Sequence, residues 1–594
     1  MQLFRRKKSL EIRYLELKEQ IDHAVAAQET HRWRQIRDRA WELLKDAVPL
    51  FVSDPKAPII AHATAKIAIV PEMASGSWHR VMALGWIAST AIGFLETAKG
   101  PESDPQLMEV LAKDLYRRAE MTAYAAHRAG VPMNVAVIAE QITSLRLGER
   151  ALQRSLMAMA SRSMADLEHM EDLMGTRLRL AQTSAAFGPL EFRGKPEEMN
   201  GWLEESARRE FATIDQDRRG GRVAMVGGIV APLEAIRLSG RSLLYVSGGL
   251  FEGVAVLLDE SALNDPTRQI SSSISLPGID VDVVASKVAS LHKAAADRRS
   301  RLVSGRLFSQ HIEQLLAWVG DTVWRPILDR WPDLSQRPVA VIPLGEFAQL
   351  PLYTAMVEGR PACSVLDLTI APSARSLVMA SEYPTAKGKV LVAADPSSGD
   401  DELPCVVDEA KAVAAVYGTD PTIFRESTVF ASQDGRLRTV SGRPPDESAG
   451  TELLSRLRSS AVVHLACHGV IAPYAPLKSA LILGGALSLE TVLAEDLLPG
   501  CTVVLSACDL AGIGIDLPGE QLGFPAVLLA GAARNVVAAL WPVPDTPRTV
   551  RLMKRFHEEL PSATPTRALG TAVGHAFDSG APASVWAPFT CFGA

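Results

Sequence analysis

Apolar residues along the first part of the chain recur at three- and four-residue steps. Trp33, Ile36, Ala40, Leu43, Leu44, Ala47 and Phe51 share one helix face, and Leu111, Leu115, Ala119 and Thr122 repeat the spacing. Gly130 and Pro132 give a stop signal, after which a helix is expected from about Asn134 to Leu145. The pattern predicts an all-helical domain over residues 1–228. Its longest uncharged apolar stretch, Val81 to Leu95, is shorter than the roughly 20 residues a membrane span needs, so it predicts a buried helix.

The period changes at Leu243. Leu243–Val246 and Val254–Leu258 flank Ser247-Gly248-Gly249 and predict a β-hairpin. A helical stretch around Leu307 to Leu328 leads into the strand-like run Val339–Pro343. Lys389–Ala394, a helix near Val406 to Tyr417, a short strand at Thr422–Phe424 and a helix over 451–457 then alternate. Such alternation predicts a parallel sheet with helices on both faces. The glycines of Gly220–Gly228 lack the Gly-Lys-Ser/Thr of a phosphate loop and read as a linker. Gly435 to Gly450 is polar, with Pro444, Pro445 and three arginines, and predicts an exposed loop.

Two apolar, β-branched runs end in reactive residues. One is Ala461-Val462-Val463-His464-Leu465-Ala466-Cys467-His468-Gly469; the other is Cys501-Thr502-Val503-Val504-Leu505-Ser506-Ala507-Cys508-Asp509. Each has the composition of a strand buried on both faces. The chain between them is long enough for a crossover, so the two can be neighbours in one parallel sheet. Sites in such sheets form beyond the carboxyl ends of strands, where His468 and Cys508 lie. A thiol near pKa 8.5 attacks as its thiolate, and a nearby histidine can take its proton and return it to the leaving amine. The backbone N–H groups of Gly469 and Cys508 are natural donors to the oxyanion. The other reading of Cys508 is a small buried hydrophobe. Cys467 and His464 read as structural, and Ser506 and Asp509 either shape a pocket or serve packing.

Composition narrows the class. The chain has 594 residues, 47% of them hydrophobic, and a formal net charge of −6, so nothing points to nucleic acid. The 6 cysteines form no CxxC pair and no zinc spacing, which predicts no metal and free thiols in a reducing, cytoplasmic setting. Basic Arg5-Arg6-Lys7-Lys8 is followed by charged residues rather than an apolar region, which argues against a signal peptide. No membrane association is expected.

His-Gly after one strand and Ser-Ala-Cys after the next resemble the CHAT family of caspase-like cysteine proteases, related to separase. Leu522-Gly523-Phe524, Gly531 to Val543 and Trp586-Ala587-Pro588-Phe589 extend the likeness over about residues 239–594. The resemblance implies an α/β caspase-like C-terminal half behind an all-α N-terminal domain. It divides that half into a protease-like subdomain without catalytic residues (239–385) and a catalytic subdomain (386–594). It implies a cysteine endopeptidase with Cys508 as nucleophile, His468 as base and no cofactor. Asp545, in the segment after Trp541, would correspond to the acid that receives a basic P1 side chain in separase; the alternative is a turn cap before Pro547. Helices before CHAT domains are often tetratricopeptide-like, but the 34-residue consensus is absent here and a plain bundle fits equally. By resemblance they would engage a protein activator or substrate. A catalytically silent scaffold and a thiol hydrolase of small amides are the competing functions.

Overall fold

The computed structural model describes residues 9–26, 32–47, 50, 54, 56–99, 120–130, 135–136, 139–140, 230–261, 272–396, 403–424, 429–431, 437–439, 447–470, 479–494, 497, 499–506 and 523–594. The chain divides into two compact units, the second of which holds Ala231–Asn264 and Ile270–Ala594.

The first unit is helical where it is described. Leu10–Ala26, Trp33–Ala47, Ala57–Ala74 and Trp78–Lys99 form its helices. The expected stripe is real: Ile36, Ala40, Leu43, Leu44 and Ala47 are buried. Val81, Leu84, Ile87 and Ala88 are buried in the Trp78–Lys99 helix, and no described helix is long and apolar enough to cross a membrane. Glu72 is fully buried, accepts from Trp41 Nε1–H at 2.9 Å and pairs with Arg80 at 3.3 Å. Both contacts reach Oε1 and offset part of the burial penalty, while Oε2 is buried without a hydrogen-bond partner. Gly130 turns the chain with φ +73, as its stop signal predicts. Residues 111–119, most of the expected 134–145 helix and the glycine linker lie outside the described residues.

The second unit is built on strands numbered here in chain order. They begin with β1 (Ser242–Ser247), β2 (Gly253–Leu258), β3 (Ser272–Leu276), β4 (Val339–Pro343), β5 (Met356–Val357), β6 (Arg360–Pro361) and β7 (Leu368–Ile370). Next come β8 (Lys389–Ala394), β9 (Thr422–Ile423), β10 (Val429–Ala431), β11 (Leu437–Thr439), β12 (Ser460–Ala466) and β13 (His468–Val470). The last are β14 (Ala480–Leu483), β15 (Gly485–Ser488), β16 (Thr502–Ser506), β17 (Asn535–Ala539) and β18 (Phe589–Gly593).

Eleven of them form one sheet, in the order β3-β2-β1-β4-β7-β18-β17-β16-β12-β8-β9. β1, β4, β7 and β18 run parallel to one another. β17, β16, β12, β8 and β9 form a second parallel block. The blocks meet in opposite directions at β17 and β18, which pair antiparallel. The predicted hairpin is present as β1 and β2. This large, mostly parallel sheet flanked by helices, behind a helical N-terminal region, is a caspase-like fold.

The expected helical stretch around Leu307 to Leu328 is present: helix Gly305–Val319 runs through a π-helical turn, Gly320–Trp324, into helix Arg325–Arg330. At Gly320 a Cβ would lie 2.0 Å from the Met356 carbonyl oxygen, so the turn packs backbone against β5. Gly435 to Gly450 is not loop throughout. Leu437–Thr439 pairs antiparallel with β10, and a helix starts at Glu447. Pairing with Val429–Ala431, distant in pattern, overrides the local polarity.

Candidate active-site edge

The carboxyl ends of β8, β12, β16 and β17 share one edge because these strands are parallel. β12 and β16 are immediate neighbours, with Ala466 opposite Ser506. Two residues past Ala466, His468 opens β13, half-buried, with half-buried Gly469 next. Ser506 closes β16 and is buried. Cys508 and Asp509 lie outside the described residues. Past β17, Trp541 is buried and the chain reaches a half-buried Asp545.

β13 leaves the main sheet to join β14 and β15 in a three-stranded antiparallel sheet, with His468 opposite Ile482 and Gly469 opposite Leu481. Asp395, fully buried just past β8, holds this sheet to the edge. Its N–H donates to the Ala466 carbonyl at 3.0 Å, and its Oδ2 accepts from the Gly484 N–H at 2.9 Å. Gly484 has φ +71, and a Cβ there would come within 2.8 Å of the Phe424 ring, so both conformation and space call for glycine.

Asp545 does not cap the helix Pro547–Glu559, whose N-cap is Thr546. Its Oδ2 accepts from the Cys405 N–H at 3.1 Å, in the first turn of helix Pro404–Val416. That N–H has no partner within its own helix, so a carboxylate is a natural acceptor there. Burial pushes the Asp545 carboxyl above the usual carboxylate range. The Cys405 N–H opposes the rise, Glu409 adds to it, and His468 opposes it.

Four of the described cysteines have thiols held above their ordinary range. Burial, then Asp545, Asp408 and Glu409, push the Cys405 thiol up. Burial pushes Cys363 up as well, and raises Cys501 and Cys591 to about 12. Cys467 is buried. Among the described residues no group of His, Cys, Asp and Glu could hold a metal ion.

His464 is buried, as a core residue should be, and it belongs to a chain of buried polar groups. Its Nε2 lies 3.0 Å from Glu409 Oε1, and its Nδ1 lies 3.1 Å from His557 Nε2. His557 Nδ1 lies 2.8 Å from the Tyr417 hydroxyl. Sequence reading missed Glu409, His557 and Tyr417, and also Asp395. A signal existed for two of them. Glu409 interrupts the apolar stripe Val406, Ala410, Val413, and His557 continues the stripe Leu552, Met553, Phe556.

Residues 313–594 match the family model of the CHAT domain, so this part of the chain is a CHAT domain. The CHAT domain is a caspase-like, protease-related family. β1 to β3 precede the matched segment and extend the same sheet. No curated protein matches the chain.

Proposed function

We propose that the chain is a cysteine endopeptidase in which Cys508 attacks a peptide carbonyl and His468 is its general base. The observation that carries this reading is the register of β12 and β16. Ala466 and Ser506 are opposite one another, and His468 and Cys508 each follow two residues later in the sequence. In this reading His468 takes the thiol proton, and the thiolate forms a thioester with the acyl half of the substrate. His468 then protonates the leaving amine, and water hydrolyses the thioester. The N–H groups of Gly469 and Cys508 receive the oxyanion. Asp545 receives a basic P1 side chain, with Ser506 and Asp509 at the pocket wall. The reaction requires no cofactor, and the protein works in the cytoplasm. The N-terminal helices engage a protein that activates the enzyme or presents the substrate.

The test is cleavage by the full-length protein together with labelling by a peptide electrophile directed at cysteine. Cys508→Ala and His468→Ala should each abolish cleavage while keeping the folded state, and Cys467→Ala should retain it. Wild-type cleavage by either of the first two variants ends the dyad assignment. An unlabelled Cys508 in the wild type favours a silent scaffold.

A further inference from the structure

The turn between helices Val281–Arg299 and Gly305–Val319 goes against its own local preferences at four neighbouring positions. Arg301 has φ +59, in the left-handed region that glycine adopts freely and an arginine does not. It follows the helix C-cap Ser300, where glycine is the usual residue. Leu302, next in the chain, closes the helix end by donating its N–H to the Asp297 carbonyl at 2.8 Å. An apolar residue there ordinarily packs back on the last turn. Leu302 is instead 76% exposed. Arg306 is the second residue of helix Gly305–Val319, at the end where the helix dipole disfavours a cation. Leu307 beside it is 59% exposed, although the same helix buries Phe308, Ile312, Leu315 and Leu316.

The same surface is cationic. Arg298 and Arg299 end the first helix, so residues 298–307 hold four arginines. Cations suit a helix C-terminus, which accounts for Arg298 and Arg299 but not for Arg301 or Arg306. The acidic residue of the turn, Asp297, pairs with Lys293 at 3.5 Å. The turn is also held in place. Ser304 Oγ accepts from the Leu307 N–H at 3.3 Å, and Ser309 Oγ accepts from the Ser584 N–H at 3.2 Å. Local rules broken together on one rigid, exposed turn point to a requirement from outside the fold.

The chemistry of the turn selects its partner. Its cations are all arginine, whose planar fork pairs with a carboxylate through two parallel hydrogen bonds and is weakly hydrated enough to be buried at an interface. The leucines between them call for apolar side chains on the other side. Residues 298–307 hold no aromatic ring on which a base could stack. A membrane fits less well, since two leucines insert little and a formal net charge of −6 opposes approach to an anionic bilayer.

We propose that the turn 298–307 is a docking surface for an acidic, apolar segment of another protein. Leu302 and Leu307 are its apolar contacts, and Arg301 and Arg306 receive carboxylates. The surface belongs to the second unit and does not depend on the cysteine–histidine reading.

A library of short random peptides displayed on phage tests this, selected on the full-length protein and in parallel on Arg301→Gly and Leu302→Ser. Both side chains are exposed, so both variants should fold. Arg301→Gly should raise the thermal unfolding midpoint, because glycine relieves the left-handed conformation. Should it fail to fold, Leu302→Ser and Arg306→Glu carry the same test. Peptides enriched on the wild type should place Asp or Glu beside Leu, Ile or Phe. Synthesised and followed by fluorescence anisotropy, they should bind these variants and Arg306→Glu about tenfold more weakly. Their affinity for the wild type should fall as salt rises. A variant that is more stable yet binds less is a result that a purely structural turn does not give. No enrichment on the wild type over the variants, enriched peptides without acidic residues, or unchanged affinity in Arg301→Gly and Leu302→Ser would each overturn the proposal. Sedimentation with phosphatidylserine vesicles that Leu302→Ser abolishes would overturn it in favour of a membrane surface. Self-association that Leu302→Ser abolishes would overturn it in favour of a second copy of the chain.

Discussion

His464 Nδ1 and His557 Nε2 lie 3.1 Å apart with both rings fully buried, their centroids 5.0 Å apart at 78°. One nitrogen must donate and the other accept, so the pair has no room for a second proton on that contact. Burial, and then the neighbouring His464, hold the His557 imidazole well below its usual range.

This makes stability depend on pH in a definite direction. The unfolded chain protonates His557 near its ordinary value of 6.5, and the folded protein resists. The stabilisation is complete above pH 6.5 and is lost as pH falls below it, at up to about 1.4 kcal/mol per pH unit. Urea unfolding midpoints of the wild type should drop between about pH 7 and about pH 5 more steeply than those of His557→Gln, which lacks the titrating group. Equal slopes would show that His557 is not the residue responsible.

The Asp395 carboxylate should matter for β13 to β15 more than for the main sheet. Asp395→Ala leaves the Gly484 N–H without its carboxylate and should cost about 1–3 kcal/mol. Hydrogen exchange should speed up over residues 480–488 and stay unchanged over β16 and β17. Asp395→Asn keeps an acceptor oxygen and should lose less. Uniform acceleration across the sheet would argue against this local role.

A fragment of residues 386–594 should not behave as an independent domain. Phe592 of β18 is opposite Ile370 of β7, and Thr369 Oγ1 donates to the carbonyls of Cys591 at 3.2 Å and Gly593 at 3.0 Å. Removing everything before 386 exposes β18 as an apolar edge strand, a template for aggregation. Size-exclusion chromatography should find the fragment aggregated, and a monomeric, active fragment would contradict this.

Peptide libraries scanned at P1 test Asp545. It is half-buried, so its contact with an arginine should lie at the low end of the range for paired charges, about 2 kcal/mol. Asp545→Ala should then lower kcat/KM for arginine peptides about 30-fold and leave leucine peptides nearly unchanged. A library preference for leucine or methionine in the wild type would reject the pocket role and leave the dyad standing.

Much of this was legible where the information is local. Val462-Val463 and Thr502-Val503-Val504 announce strands by composition, and the β1–β2 hairpin is announced by glycines between apolar runs. The edge on which His468 sits follows from parallel pairing, which alternation with helices predicts. Contacts between distant residues were not legible. Glu409 bonds a residue 55 positions away, and Cys405 meets a carboxylate 140 positions away. Nothing in the periodicity of either segment names its partner. The segment 437–439 was hidden for the same reason, since its strand exists only by pairing with β10.

β18 follows every other described strand in sequence and lies between β7 and β17, near the middle of the sheet. During vectorial synthesis the strands on either side of β18 can pair early, but the sheet is not continuous from β7 to β17 until residues 589–593 emerge. The growing chain therefore carries β7 as an unpaired interior edge once residue 370 has emerged, joined by β17 only after residue 539, and these are the places where a chaperone or a misdirected strand would bind.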